Sequence, residues 1–227
     1  MAKKSKKVSD KPPRECDYDS IKSWKKARER LELGNSRYKS GNLEHPNQHK
    51  KCREYWAPDD QNGQRPWCIV LSCADSRVTP ELVFDTGIGD LFVARVAGNI
   101  ANASTIASIE YAASAIKDKS GRLTAQGIVV LGHEGCGAVK AATEVKDNHN
   151  AADSPALQHL VGHIMPALET KPRGKDEMAG YVRANARLAA RDLCTRSKII
   201  RESKLPIYPA YYRLKSGDVE FMDAIER

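Results

Sequence analysis

No apolar run in this chain approaches the roughly 20 residues needed to cross a bilayer, so no membrane-spanning helix is expected. The opening Met-Ala-Lys-Lys-Ser-Lys-Lys leads into no apolar segment, which argues against a secretory leader. It is rich in lysine rather than arginine, and acids enter by Asp10, so a mitochondrial presequence is not expected either. Cysteine is sparse. Cys16, Cys52, Cys68, Cys73, Cys136 and Cys194 lack the dense spacing of a disulfide scaffold. A reducing, cytoplasmic setting follows as the expectation, and Cys16, Cys52 and Cys194 are given no chemistry.

Acids are short at one end only. The formal net charge of +8 would by itself invite a nucleic-acid partner. Residues 1–53 hold 16 Lys and Arg against 7 Asp and Glu, whereas the other 174 residues hold 21 against 22. The basicity belongs to a terminal arm, so no nucleic-acid groove is expected in the body. Residues 1–16 read as a basic disordered tail. Residues 17–63 read as a helical arm and loop, and 64–227 as one α/β domain without internal repeats.

Nucleotide motifs are missing too. Gly132-x4-Gly137 begins like a phosphate loop, but Ala138-Val139 stand where Lys-Ser/Thr is required. Gly87-x-Gly89 is followed by Phe92 where a dinucleotide fingerprint has its third glycine.

What is present is a pair of apolar runs that stop at metal-ligating residues. Cys68–Thr79 reads C-I-V-L-S-C-A-D-S-R-V-T, a buried strand at Trp67–Leu71 followed by Cys73, Asp75 and Arg77. Gly127–Gly137 repeats the pattern, with Ile128–Leu131 as strand, then His133 and Cys136. In open α/β sheets, sites form beyond the carboxyl ends of parallel strands. Two adjacent strands would bring Cys73, His133 and Cys136 to one edge. Alone, each would read as a buried thiol or a core histidine. Together, two thiolates and an imidazole make a three-ligand zinc set with a position left for water or substrate.

Other elements follow from periodicity. Helices are expected at 18–33, with Ile21, Trp24, Arg28 and Leu31 on one face and a stop at Gly34-Asn35, and again from Ser36. Residues 41–63 read as loop. Further helices are expected at Pro80–Phe84, Asn99–Lys117 (capped by Asn102 or Ser104), Leu157–Leu168 and Tyr181–Lys204. Leu91–Val96 reads as a strand, and Ile207–Tyr212 with Val219–Met222 as a closing hairpin. The order strand–helix–strand predicts a mostly parallel central sheet flanked by helices.

The chain resembles the β-class carbonic anhydrases. The resemblance rests on C-A-D-S-R (Cys73–Arg77), G-D-L-F-V-A-R-V-A-G-N (Gly89–Asn99), I-E-Y-A (Ile109–Ala112) and H-E-G-C-G (His133–Gly137). It runs from about Gln64 to Ala141 and more weakly through Leu205–Phe221. It implies one Zn2+ per chain on Cys73, His133 and Cys136, and reversible hydration of CO2 to bicarbonate by attack of zinc-bound hydroxide. Hydrolysis of CS2 or COS, or zinc binding without catalysis, are the alternatives on the same scaffold. Asp75, kept ionised by Arg77, is expected to orient the nucleophile, with both on one side of a locally extended segment. The resemblance further implies a CO2 pocket of Phe92, Ala97 and Tyr111, with Gln64 donating to substrate oxygen. Part of that pocket is implied to come from a neighbouring subunit, hence a homodimer or higher even oligomer. Gly135 and Gly137 are expected to let backbone approach the metal. His149, His159 and His163 are read as ordinary histidines.

Overall fold

In the computed structural model, residues 21–57, 63–148, 152–169, 172 and 176–226 are described. The expected tail at 1–16 and His149 lie outside them. Five strands form one sheet in the order β2-β1-β3-β4-β5. They are β1 (Cys68–Ser72), β2 (Leu91–Arg95), β3 (Ile128–His133), β4 (Ile207–Tyr212) and β5 (Val219–Phe221). β2, β1, β3 and β4 are mutually parallel, and β5 closes the edge antiparallel to β4. Among the described residues, no helix is long and apolar enough to cross a membrane.

Every residue of β1 and β3 is buried, as expected for central strands covered on both faces. Successive side chains alternate between two cores. Ile69, Leu71, Ile128 and Val130 pack with α4 (Ala103–Ser114), α7 (Glu177–Arg196) and α8 (Lys198–Ser203). Cys68, Val70, Val129 and Leu131 pack against α1 (Trp24–Ser40) and α3 (Pro80–Val83). A third cluster gathers Cys73 and Cys136 with residues of α5 (Gly137–Asn148), α6 (Pro155–Ile164) and α7.

α1 belongs to its own chain's core. Ala27 and Leu31 are fully buried, and truncating a buried leucine such as Leu31 to alanine costs about 2–5 kcal/mol. Trp24 stacks on Tyr208 with ring centroids 4.7 Å apart. Its indole fills the space over Gly127, where a Cβ would come within 2.3 Å of the ring. Arg28 lies over the rings of Tyr208 and Phe221.

Several boundaries differ from expectation. α1 continues through Gly34-Asn35 to Ser40. Gly34 faces the Phe84 carbonyl so closely that a Cβ would fall 1.8 Å from its oxygen. The Asn35 amide donates to Val83 O (3.1 Å) and Gly217 O (2.7 Å), and its oxygen accepts from Val219 N (3.0 Å). The pair that reads as a stop is a packing surface. Residues 41–63 include a short helix, α2 (Lys50–Tyr55), whose Cys52 is buried and disulfide-bonded, contrary to the expectation of no chemistry there. Cys68, Cys73, Cys136 and Cys194 are free. The expected helix 181–204 breaks at Ser197, whose Oγ caps α8 by accepting from Ile200 N. The expected helix 157–168 passes into a 3-10 turn at Met165–Leu168, and α4 starts late, capped by Asn102.

Candidate metal centre

The three expected ligands converge. β1 pairs with β3 so that Ser72 lies opposite Leu131, and each chain leaves its strand at the same sheet edge. Cys73 is 4 % exposed, and His133 and Cys136 are fully buried. The turn from β3 into α5 uses Gly135 at φ +63°, a left-handed conformation that favours glycine. A Cβ at Gly135 or Gly137 would meet nothing within 4 Å. The need for glycine at 135 is therefore conformational as far as the protein's own atoms go.

One thiol sulfur each from Cys73 and Cys136 and one His133 ring nitrogen lie within 4.8 Å of one another. His133 Nδ1 is 2.9 Å from Glu134 O. A carbonyl can only accept, so Nδ1 carries the proton and Nε2 offers a lone pair. Nε2 is buried and has no hydrogen-bond partner. A buried imidazole acceptor without a donor, beside two thiols, fits a soft divalent ion: zinc takes sulfur at about 2.3 Å and imidazole nitrogen at about 2.0–2.1 Å. Glu134 O then serves as the partner that fixes the ring's tautomer and orientation.

The thiols titrate as a pair. Cys73 is lowered to about 4, chiefly by a hydrogen bond from Cys136, against burial, with the amides of Asp75 and Gly98 assisting. Cys136 is pushed up by the same bond and by burial, although amides at the start of α5 favour its thiolate. Cys68, buried within β1, is raised by desolvation alone and stays a thiol.

Asp75 sits beside this cluster, with its Oδ2 3.9 Å from His133 Nε2. Arg77 donates Nε to Oδ1 (2.9 Å) and a terminal nitrogen to Oδ2 (2.7 Å), and its backbone N–H also reaches Oδ1 (2.9 Å). Val78 N donates to Asp75 O (3.0 Å), so the segment turns here. The expected extended geometry is replaced by a turn that lets one carboxylate take both side-chain and backbone donors. Arg77 holds Asp75 well below the usual carboxylate range.

Ala97 lies in the 3-10 turn Ala97–Asn99 beside the cluster, since the next residue's N–H, Gly98 N, donates to Cys73 Sγ (3.3 Å). Gln64, Phe92 and Tyr111 lie elsewhere. Gln64 is exposed and precedes β1 by four residues, at the end of the strand away from Cys73. Phe92 pairs with Ile69, three rungs below Ser72–Arg95, roughly 10 Å at about 3.3 Å per residue. Tyr111, 53 % exposed on α4, has its ring 6.4 Å from that of Phe92. His159 and His163 stand edge to face on α6.

Three supporting residues escape sequence reasoning. Arg95 donates to Cys73 O (3.0 Å) and Asp75 O (2.7 Å), fixing the exit from β1. Gly98 takes φ +68° and touches the sulfur. Asn185 on α7 donates to Gly98 O (2.8 Å). Arg95 and Gly98 lie within the G-D-L-F-V-A-R-V-A-G-N stretch. Asn185 offers only the faint signal of an amide among Val182, Ala186, Ala189 and Ala190.

A carbonic anhydrase family model matches residues 68–219. "Carbonic anhydrase 2" of Mycobacterium tuberculosis is 32 % identical over 210 residues, covering 90 % of this chain and 94 % of that protein. A carbonic anhydrase of Synechococcus elongatus is 34 % identical over 69 % of this chain and 60 % of its own. Among solved structures, the β-carbonic anhydrase CcaA superposes with a TM-score of 0.63 at 26 % identity, over 89 % of this chain and 92 % of its own. One of two tetrameric β-carbonic anhydrases from Sordaria macrospora shares the fold, with a TM-score of 0.59 at 21 % identity over 72 % and 84 % of the two chains. A family model spanning most of the chain, a full-length relative, and two thiols and an imidazole at one sheet edge agree: the chain belongs to the β-class carbonic anhydrase family.

Proposed function

We propose that this protein catalyses the reversible hydration of CO2 to bicarbonate and a proton, with one zinc ion per chain held by Cys73 Sγ, His133 Nε2 and Cys136 Sγ. The observation that carries the reading is the orphaned His133 Nε2, which lies with both thiols and 3.9 Å from a carboxylate clamped by arginine. Zinc bound there supplies Lewis acidity that makes water a competent nucleophile, less strongly than a tris-histidine site because two thiolates donate charge.

The chain's own groups supply orientation. Asp75 is ionised and can only accept a hydrogen bond. It receives the proton-bearing side of the incoming nucleophile and so turns a lone pair toward the carbon of CO2. Arg77 keeps the carboxylate charged and fixes its plane through a two-point fork. Arg95 ties Cys73 and Asp75 to one frame.

Substrate contacts cross a subunit boundary in this reading. Ala97 belongs to the site of its own chain, whereas Gln64, Phe92 and Tyr111 serve the site of a partner. Two features favour it. The β2 edge is unpaired within the described residues, and Phe92 and exposed Tyr111 form an apolar patch beside it. A homodimer is the minimal unit, with higher even assemblies built from it. In domain terms, 64–227 is the zinc-binding catalytic part, and α1, from the 17–63 segment, packs into the same core. The cytoplasmic placement remains a reading from the sequence: the free thiols at 68, 73, 136 and 194 are in keeping with it, and the disulfide at Cys52 counts against it.

Stopped-flow CO2 hydration on protein with a measured zinc content tests the proposal. Turnover on CO2 that scales with bound zinc, and exceeds turnover on CS2, is expected. Stoichiometric zinc with no hydration above buffer would overturn it.

A further inference from the structure

We propose that Asn185, on α7, is a positioning residue for the metal centre, acting through Gly98 on the sulfur of Cys73. The inference rests on the zinc reading above and adds to it a residue far from the ligands in sequence.

Gly98 is the link. Its N–H donates to Cys73 Sγ (3.3 Å), and its C=O accepts from Asn185 Nδ2 (2.8 Å). The residue is thereby pinned on both sides of its Cα, at φ +68° and ψ +15°. That left-handed conformation is open to glycine at little cost and strained for a residue with a side chain. The space is closed as well. A Cβ at 98 would come 2.9 Å from Ile164 Cδ1 of α6 and 3.0 Å from Ala138 Cβ of α5. Three helices therefore hold the turn, but α7 alone among them does so with a polar bond.

Asn185 is 1 % exposed. A buried amide in an apolar helix face is unfavourable unless its hydrogen bonds are made, and alanines or leucines fill the neighbouring buried positions 186, 189, 190 and 193. The amide is matched to one acceptor, Gly98 O. An N–H donated to a thiolate draws charge from the sulfur and fixes which lone pair is left for the metal. Partners bonded directly to a ligand, as Gly98 is, typically change metal affinity by about 10–100-fold when removed; Asn185 stands one bond further out, at the lower end of that range.

Asn185→Leu keeps the volume and removes the donor. Leu193→Ala, on the same helix but inside the Ile109 core, is the control for lost packing. Zinc content, zinc affinity by chelator competition, and the thiolate-to-cobalt charge-transfer band of Co2+-loaded protein are measured on the full chain. For Asn185→Leu the expected result is zinc affinity about 10-fold weaker and a charge-transfer band moved to lower energy. For Leu193→Ala it is a lower melting temperature with affinity and band unchanged. Wild-type affinity and band in Asn185→Leu, or equal weakening in both variants, overturns the inference. Should Asn185→Leu fail to fold, 113Cd-loaded wild-type protein decides. A scalar coupling between 113Cd and the Gly98 amide proton is expected, and its absence removes the Gly98–Cys73 link. Wild-type protein that takes up no stoichiometric metal would instead sink the zinc reading itself, which separates the two failures.

Discussion

Both carboxylate oxygens of Asp75 are engaged by the Arg77 guanidinium, at 2.9 and 2.7 Å, while the same arginine's backbone N–H makes a third contact at 2.9 Å. One residue thus fixes the charge, plane and rotation of another, 3.9 Å from the His133 lone pair.

From this pairing, Asp75→Asn should lower CO2 turnover by about 100-fold or more, the range for a positioned proton acceptor. Its amide is isosteric but presents N–H where an acceptor is needed. Zinc content should stay at one per chain, because the Asp75 carboxylate is not among the three ligands. Arg77→Lys should retain the charge but lose the fork, and fall between wild type and Asp75→Asn. Metal analysis beside stopped-flow rates checks both. Loss of zinc from Asp75→Asn would show that Asp75 is a ligand rather than an orienting group.

Removing the metal should abolish hydration and leave the fold. Cys73, His133 and Cys136 stand at the ends of strands whose ten residues beneath them, Cys68–Ser72 and Ile128–Gly132, are almost all apolar and buried. The sheet does not depend on the ion for its core. Dialysis against a strong chelator under reducing conditions should preserve far-ultraviolet circular dichroism. The melting temperature should fall, since a ligand bound only by the native state stabilises it by RT ln(1 + [L]/Kd). Unfolding on chelation would contradict the assignment of stability to the two apolar cores.

Two aspartates near the junction of α3 and β2 should act oppositely on acid stability. Asp85 is buried, which by itself raises its pKa, but Arg37 at 2.5 Å and the N–H groups of Glu44 and His45 outweigh burial and lower it. Its stabilisation is present above the unfolded carboxylate pKa of about 3.9 and is lost as pH falls through the lowered folded value. Asp90 is raised, because burial outweighs its donors from Gly87, Trp67 and Asn47. Its effect is favourable below about 3.9 and lost as pH rises through the raised value. Asp85→Asn should therefore flatten the acid limb of stability against pH and destabilise at neutral pH by less than the roughly 3–5 kcal/mol of a fully orphaned buried charge, because Arg37 keeps Glu44 at 3.6 Å and the Asp85 carbonyl at 3.4 Å. Asp90→Asn should steepen that limb. Urea melts from pH 3 to 7 read both slopes.

The sequence carried the site further than it carried the helices, for a physical reason. A strand's end and its ligand are one local event, an apolar run stopping at Cys73 or His133, so both were legible. Helix ends depend on distant partners. Gly34-Asn35 looks like a stop because its role, seating against Phe84 and Gly217, lies 50 and 182 residues away. Ser197 breaks the last long helix because its hydroxyl caps α8 and donates to Glu110. Asn185 was invisible for the same reason, since its partner is 87 positions upstream.

The placement of Gln64 gives a test that a single chain cannot satisfy. β1 carries Cys73 at one end and is entered from Gln64, four residues earlier, at the other, so the five-residue strand, roughly 16 Å of extended chain, lies between the amide and its own zinc ligand. If Gln64 contacts substrate, it does so in the neighbouring subunit. Gln64→Ala should lower turnover, and Cys73→Ser should abolish it by removing a ligand. A hybrid dimer with one copy of each lesion contains one complete site: the metal of the Gln64→Ala chain with Gln64 of the Cys73→Ser chain. Its other site is doubly damaged. Hybrids isolated through two different affinity tags should thus recover about half of wild-type turnover per dimer, far above either parent. If Gln64 served its own chain's metal, neither site of the hybrid would be complete. Its activity would then stay at the average of the two parents, and the shared pocket would be excluded.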